Sequence, residues 1–240
     1  MIEENLSQQH IVRSFDEELN LLTATIVRMG GVTEIQLKDA LNALKDKNLE
    51  AAELVISRDK ELDQFEVEVE LLVTRIFALR QPMAIDLRSV MSALRIAANL
   101  ERIGDYVKNS ARRCQVLFES ASVPAEDGIF KMGVLASQCL RKALDGFQNQ
   151  NIEIALEAWR QDQEIDLLYN SVFHDLVNYM GDNSDKITAA TQLTFVGKNL
   201  ERIGDLTTNI AEEVYFMVEG SRLTEPRPKA DKTSTFSEGV

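Results

Sequence analysis

The chain has 240 residues, 45% of them hydrophobic and 27% charged, which is enough apolar material for one large core or two small ones. Only 4 prolines and 11 glycines occur, which excludes a collagenous or low-complexity chain and disfavours an all-β fold rich in turns. The 39 acidic side chains outnumber the 26 Lys and Arg, and the resulting net charge of −13 repels nucleic-acid phosphates. We therefore expect a mostly helical protein with no nucleic-acid partner.

The first half of the chain predicts three helices. One covers about residues 15–44, with a bend expected at Gly30 and Gly31. Asn48 can cap the second helix, whose apolar residues recur at helical spacing. Gln81 and Pro82 end that second helix, because the residue before a proline disfavours the helical conformation. A third helix follows over about residues 86–118, before a linker that contains a proline.

The second half repeats this plan. Its helices are predicted over about residues 129–147, 152–179 and 186–218, with a turn at residues 181–184, and Gly220 suits a helix cap. Residues 221–240 contain two prolines and many polar side chains, which predicts a disordered tail. Long helices joined by short turns lie antiparallel, so each half is expected to form a three-helix bundle.

An internal duplication relates the two halves. The heptapeptide NLERIGD occurs at residues 99–105 and again, unchanged, at residues 199–205. Further identities upstream recur at an offset of 103 residues, so one loop differs in length by three residues between the halves. The predicted fold is all-α: two tandem three-helix bundles, residues 1–120 and 121–220, related by a pseudo-twofold axis, followed by the tail at 221–240.

The chain ends and the cysteines indicate the compartment. Cys114 and Cys139 form neither a disulfide framework nor a zinc-binding spacing. The first ten residues are polar and lack the apolar segment of a signal peptide. No run of about 18 apolar residues occurs that could span a bilayer. The sequence predicts a soluble cytoplasmic protein.

Four pairs of acidic residues lie four positions apart, which places both carboxylates of a pair on one helix face. The pairs are Asp59 with Asp63, Glu101 with Asp105, Asp162 with Asp166, and Glu201 with Asp205. Asp63 and Glu101 are both 19 residues from Pro82, and Asp59 and Asp105 are both 23 residues from it, so each pair lies level across the predicted hairpin. Four facing carboxylates per bundle require bound cations or raised pKa values, and oxygen ligands suit iron, manganese, magnesium or calcium.

Two other interpretations stay open from the residues alone. The acidic pairs can form a solvated surface, which is the usual place for carboxylates. Arg102 and Arg202 can also neutralise the neighbouring acids without a metal. Gly104 and Gly204 cost about 1 kcal/mol each relative to alanine within a helix, so their presence indicates a close approach between helices.

The doubled ERIGD motif, with D-x-x-x-D pairs on the preceding helices, resembles the PhoU family over about residues 5–220. The resemblance implies tandem three-helix bundles that carry multinuclear metal clusters on these motifs. The implied metal ligands are Asp59, Asp63, Glu101, Asp105, Asp162, Asp166, Glu201 and Asp205. Iron, zinc, manganese and magnesium are the candidate metals, and the sequence does not select among them.

The same resemblance implies a function: negative regulation of the phosphate-starvation response and modulation of phosphate uptake. The implied partners are the ATPase subunit of the phosphate ABC transporter, a PhoR-type sensor histidine kinase, and a second copy of the chain in a homodimer. The protein is then expected to reach the membrane only through its partners. No Ser/His/Asp order, Gly-rich phosphate loop or GK[ST] motif appears, so we expect no enzymatic activity. The alternative is a ferritin-like redox protein with a carboxylate-bridged di-metal site, although the E-x-x-H motif of that class is missing.

Overall fold

The computed structural model describes the backbone of residues 2–120 and 123–233 and the side chains of residues 14–120 and 123–233. Within these ranges the chain forms six α-helices, one 3-10 turn at Ser184–Lys186, and no strand. The helices are α1 (Ile2–Asp46), α2 (Leu49–Arg80), α3 (Ala84–Phe118), α4 (Glu126–Gln148), α5 (Ile152–Asp182) and α6 (Ile187–Glu219). The prediction of an all-α fold is confirmed.

Local sequence signals set several of the helix ends. The Asn48 side chain accepts a hydrogen bond from the Ala51 backbone N–H at 3.0 Å and so caps the start of α2. α2 ends at its cap residue Gln81, directly before Pro82. Gly220 ends α6 with a φ of 79°, in the left-handed region that glycine adopts without strain. The predicted ends of α2 and α6 are therefore confirmed.

Two helices are longer than the sequence predicted. α1 begins at Ile2 and continues without a break through Gly30, where the sequence predicted a bend. Gly30 instead lies against the side chain of Leu144 on α4, so this glycine serves packing. α5 continues through Gly181, which was assigned to a turn, and ends at Asp182. Each added residue gains one helical hydrogen bond, which outweighs the weak helix propensity of a single glycine.

The six helices form two three-helix bundles, as the duplication predicted. α1, α2 and α3 pack together, and so do α4, α5 and α6. Each helix buries an apolar stripe, such as Leu62, Val69 and Ile76 on α2, none of which is more than 1% exposed. Gly104 on α3 lies where a Cβ would overlap with Leu62, so glycine permits the close approach of α2 and α3.

The two bundles share one continuous hydrophobic core. α3 packs antiparallel along α6. Ser92 in the first part of α3 hydrogen-bonds to Glu213 near the end of α6, and Arg113 near the end of α3 hydrogen-bonds to Gln192 near the start of α6. This register places the ERIGD motif of α3 opposite the ERIGD motif of α6, at the centre of the interface. The pseudo-twofold relation of the duplicated sequence is therefore a pseudo-twofold relation between α3 and α6.

The C-terminal residues depart from the predicted disordered tail. Residues 221–233 form no helix, but they fold back over α5 and α6, and we call them the strap. The Asn170 side-chain amide donates to the Ala230 carbonyl at 2.6 Å, and Ala230 is only 8% exposed. Composition reports only local tendency, whereas the partners of residues 221–233 lie far back in the chain. Residues 234–240 lie outside the described residues.

Candidate functional site

The first acidic cluster lies between α2 and α3. α2 contributes Asp59 and Asp63, and α3 contributes Glu101 and Asp105. Asp59 and Asp105 both form a salt bridge with the Lys108 ammonium group, so these two acids lie level across the hairpin, as the sequence register predicted. Lys108 follows Asp105 by three positions, which places it on the same face of α3.

Negative charge exceeds positive charge in this first cluster. The pKa of Glu101 is raised to about 7, first by burial and then by the neighbouring carboxylates, of which Asp105 has the largest effect. Burial also raises the pKa of Glu66, one turn beyond Asp63 on α2. Burial alone would lower the pKa of Lys108, but its bonds to carboxylates raise it above the ordinary value. The arrangement favours any cation that can enter the cluster.

The second acidic cluster lies in the equivalent place between α5 and α6, but the strap covers it. Arg227 Nη2 lies 2.5 Å from Asp162 Oδ2 and 2.7 Å from Asp205 Oδ1. Asp166 Oδ2 accepts hydrogen bonds from two consecutive backbone N–H groups of the strap, at 2.8 and 3.1 Å. The strap therefore contacts three of the four acids that were predicted for this cluster.

A lysine links the fourth acid to the strap. Lys198 Nζ lies 2.9 Å from Glu201 Oε2 and 2.9 Å from Asp231 Oδ2. The second cluster is consequently the more buried of the two: Asp162 is 1% exposed and Glu201 4%, whereas the Asp105 side chain of the first cluster is 46% exposed. Solvent reaches the first cluster but hardly reaches the second.

Burial shapes the ionisation of the second cluster. It raises the pKa of Asp162 to about 6, although the charge and hydrogen bond of Arg227 act in the opposite direction. It also raises the pKa of Glu201 to about 6, against the effect of Lys198. Asp231 behaves differently, because its bond to Lys198 overcomes the effect of burial and lowers its pKa to about 2.

The donor atoms of both clusters suit a hard cation, since all of them are carboxylate oxygens. Among the side chains of residues 14–120 and 123–233, no three His, Cys, Asp or Glu groups converge as a metal site. Lys108 and Arg227 lie between the facing acids instead. One oxygen still lacks a partner, because Asp162 Oδ1 is buried and makes no hydrogen bond. Gly204 leaves space for this oxygen, since a Cβ there would overlap with it.

The sequence analysis missed several members of these clusters. Lys108, Lys198 and Glu66 each lie three positions from a cluster acid on the same helix, so helical spacing could have found them. Arg227 carries no such signal, because it lies 65 residues from Asp162 in an irregular segment. Charged groups within one helix were therefore predictable, and the group supplied by the strap was not.

The arginines of the ERIGD motifs have unequal roles. Arg202 Nη1 lies 3.1 Å from Asp205 Oδ2, as expected if it neutralises the neighbouring acid. Arg102 makes no ion pair with any residue in the described part of the chain. The two arginines line a cavity of about 500 Å³ together with Arg227 and Lys229 of the strap. Neutralisation by motif arginines thus applies to the second cluster alone.

The position of the histidine bears on the ferritin-like alternative. His174 is the only histidine among the described side chains, and it is exposed on α5, eight positions beyond Asp166. Its ring centre lies 6.2 Å from that of Phe173. Redox di-metal bundles place histidines beside their carboxylates on inward-facing positions. Nothing in this arrangement favours the redox alternative.

Comparison with known proteins places both halves in one family. The family model described as PhoU domain matches residues 26–114 and again residues 129–214. One relative is the phosphate-specific transport system accessory protein PhoU homologue of Caulobacter vibrioides. It is 42% identical to this chain over 227 residues, which cover 94% of this chain and 99% of the relative. The Escherichia coli K12 protein of the same name is 34% identical, covering 88% of each chain.

Solved structures show the same similarity. The crystal structure of PhoU from Pseudomonas aeruginosa matches with a TM-score of 0.84 and 34% identity, covering 86% of this chain and all of that one. The phosphate transport system regulatory protein PhoU from Streptococcus pneumoniae matches with a TM-score of 0.82 and 28% identity, covering 88% of this chain. Among the residues described, no helix combines the length and apolar character needed to cross a bilayer.

Proposed function

The chain belongs to the PhoU family, and on that premise we propose that it is an accessory and regulatory protein of a phosphate transport system. The observation that carries the proposal is the match of both repeats to the PhoU domain, together with relatives named for phosphate-specific transport. The protein acts in the cytoplasm by binding other proteins and catalyses no reaction. It represses the phosphate-starvation response when phosphate is plentiful and modulates phosphate uptake.

Its proposed partners are the ATPase subunit of the phosphate ABC transporter and a sensor histidine kinase. The net charge of −13 supports electrostatically steered association with basic surfaces. Apolar side chains on the outer face of α2 support association of two copies as a homodimer. Val67 and Leu71, one turn apart, are 53% and 67% exposed on this face.

The acidic clusters are proposed as the metal-holding sites of the protein. The first cluster would use Asp59, Asp63, Glu101 and Asp105, and the second would use Asp162, Asp166, Glu201 and Asp205. A bound iron, zinc, manganese or magnesium ion would neutralise the carboxylates and cross-link the two helices that carry them. The excess of negative charge in the first cluster and the unpaired Asp162 oxygen in the second support this role.

Regulation is tested in a strain that lacks the gene. Genes of the phosphate-starvation response should be expressed in phosphate-rich medium in that strain and silent when the full chain is restored. Unchanged expression would contradict the regulatory role.

Direct contact is tested by surface plasmon resonance, with the purified chain flowing over the ATPase subunit or the kinase cytoplasmic fragment. Association should slow as salt increases, because exposed charges are screened beyond about 8 Å at 0.15 M salt.

Self-association is tested by sedimentation of the wild type and of Leu71→Ser. The wild type should sediment as a dimer, and the substitution should shift it towards monomer because it removes apolar area from the proposed contact. Val134→Ser is the matched control, since Val134 is a partly exposed apolar residue on α4, away from α2. Equal sedimentation of all three proteins would contradict the assignment of the α2 face.

A further inference from the structure

The two acidic clusters share a sequence pattern but differ in the group that neutralises them. In the first cluster Lys108 of α3 bridges Asp59 and Asp105. The second repeat has Thr208 at the position that corresponds to Lys108, so α6 supplies no such lysine. The acids that match Asp59 and Asp105 are bridged instead by the guanidinium group of Arg227, which comes from the strap.

We propose that the strap closes the second cluster with a tethered cation, so that a divalent metal enters this cluster only when the strap is displaced. The first cluster has no cover of this kind within the described residues and stays open to metal. The inference rests on the proposed metal-holding role of the acidic clusters. It makes the two sites of a duplicated sequence unequal in a way that their shared motifs do not indicate.

Three kinds of contact hold the strap in place besides Arg227. The Ala230 N–H donates to Asp166 Oδ2 at 2.8 Å, which uses a carboxylate oxygen that a metal would need. Lys198 ties Asp231 of the strap to α6 at 2.9 Å. The Asn170 side chain bonds to the strap backbone on both sides, donating to the carbonyl of residue 230 and accepting from the N–H of residue 232.

The balance of charged groups also makes the first cluster more favourable for a metal ion than the second. The first cluster gathers five acids around one lysine: Asp59, Asp63, Glu66, Glu101 and Asp105 around Lys108. The second gathers five acids among four positive groups: Asp162, Asp166, Glu201, Asp205 and Asp231 among Arg202, Arg227, Lys198 and Lys229. Tyr169 replaces Glu66 in the second repeat. A divalent cation therefore meets unbalanced carboxylates in the first cluster and nearly neutralised ones in the second.

The strength of the closure sets the expected effect. A ligand that binds only the open form has its apparent affinity reduced by the fraction of molecules that are open. If the strap is closed in about 99% of molecules, the second cluster binds metal about 100-fold more weakly than it does when the strap is released. Removal of one contact between the strap and the second cluster should recover most of this roughly 100-fold difference in metal affinity.

The test is a titration of the metal-stripped full chain with Mn²⁺, in which free Mn²⁺ is followed by electron paramagnetic resonance. Arg227→Gln removes the tethered cation, and Ala230→Pro removes the N–H donated to Asp166 while leaving every charge in place. Arg141→Gln is the control, because Arg141 lies on α4, outside the strap and both clusters, and pairs with Glu34 at 3.4 Å. Thermal melts of each variant verify folding, and hydrogen–deuterium exchange of the strap reports closure without metal.

Arg227→Gln and Ala230→Pro should each bind more Mn²⁺ than the wild type, exchange faster in the strap, and lose the added binding when combined with Asp205→Asn. The Arg141→Gln protein should match the wild type in both measurements. Added binding in the two strap variants supports the closure of the second cluster by the strap, even if the first cluster binds no Mn²⁺. Absence of Mn²⁺ from the first cluster would contradict only the proposed metal-holding role of that cluster. Equal Mn²⁺ binding by all four proteins, including none at all, would overturn the closure.

Discussion

Glu101 provides a stability test of the first cluster. In the folded protein its pKa is about 7, compared with an ordinary value of 4.5. Because folding disfavours the ionised form, the side chain contributes stability that is fully present below about pH 4.5 and is lost as the pH rises through 7. At about 1.4 kcal/mol per pH unit the difference is about 3 kcal/mol, and partial exposure to solvent reduces it to about 1–2 kcal/mol.

Glu101→Gln removes this ionisation while keeping the shape of the side chain. In EDTA near pH 8, the variant should have a free energy of unfolding about 1–2 kcal/mol higher than the wild type, and near pH 4 the two should be equal. Urea denaturation followed by circular dichroism measures the difference. Glu61→Gln is the control, since Glu61 is an exposed carboxylate on α2.

Two results would refute this reasoning about the cluster. One is a Glu101→Gln protein that is less stable than the wild type near pH 8 in EDTA. The other is a difference between the two proteins that does not change from pH 4 to pH 8. Excess Mn²⁺ in place of EDTA should reverse the sign near pH 8, because the ionised carboxylate then stabilises the protein through the metal.

Three further substitutions and one chemical treatment test the packing and a helix cap. Gly104→Ala places a Cβ against Leu62 and should destabilise the protein by about 1–3 kcal/mol, whereas Gly31→Ala meets no neighbour within 4 Å and should stabilise it by about 0.5–1 kcal/mol in urea melts. Asn48→Ala removes the cap of α2 and should cost about 1 kcal/mol in the same melts; no change would show that the cap is dispensable. Burial raises the pKa of the Cys139 thiol to about 12, so thiol reagents should modify it only after unfolding.

The sequence alone was sufficient for the number and order of the helices, the duplication and the acidic faces. Helix caps such as Asn48 act within three residues, and helical periodicity places acids such as Asp59 and Asp63 on one face without reference to the rest of the chain. The symmetric spacing around Pro82 also predicted that α2 and α3 bring their acids level. These are local rules, and the tertiary structure did not alter them.

Only the tertiary structure decided how the two clusters differ. The register of α3 against α6 and the continuous core depend on side-chain packing between segments about 100 residues apart, which no local pattern encodes. The strap is the clearest case, because Arg227 reaches Asp162 across 65 residues of sequence and has no helical period to mark it. Two repeats with the same acidic motif thus acquire different surroundings, since the ionisation and accessibility of a carboxylate depend on every charge packed around it and not only on its own helix.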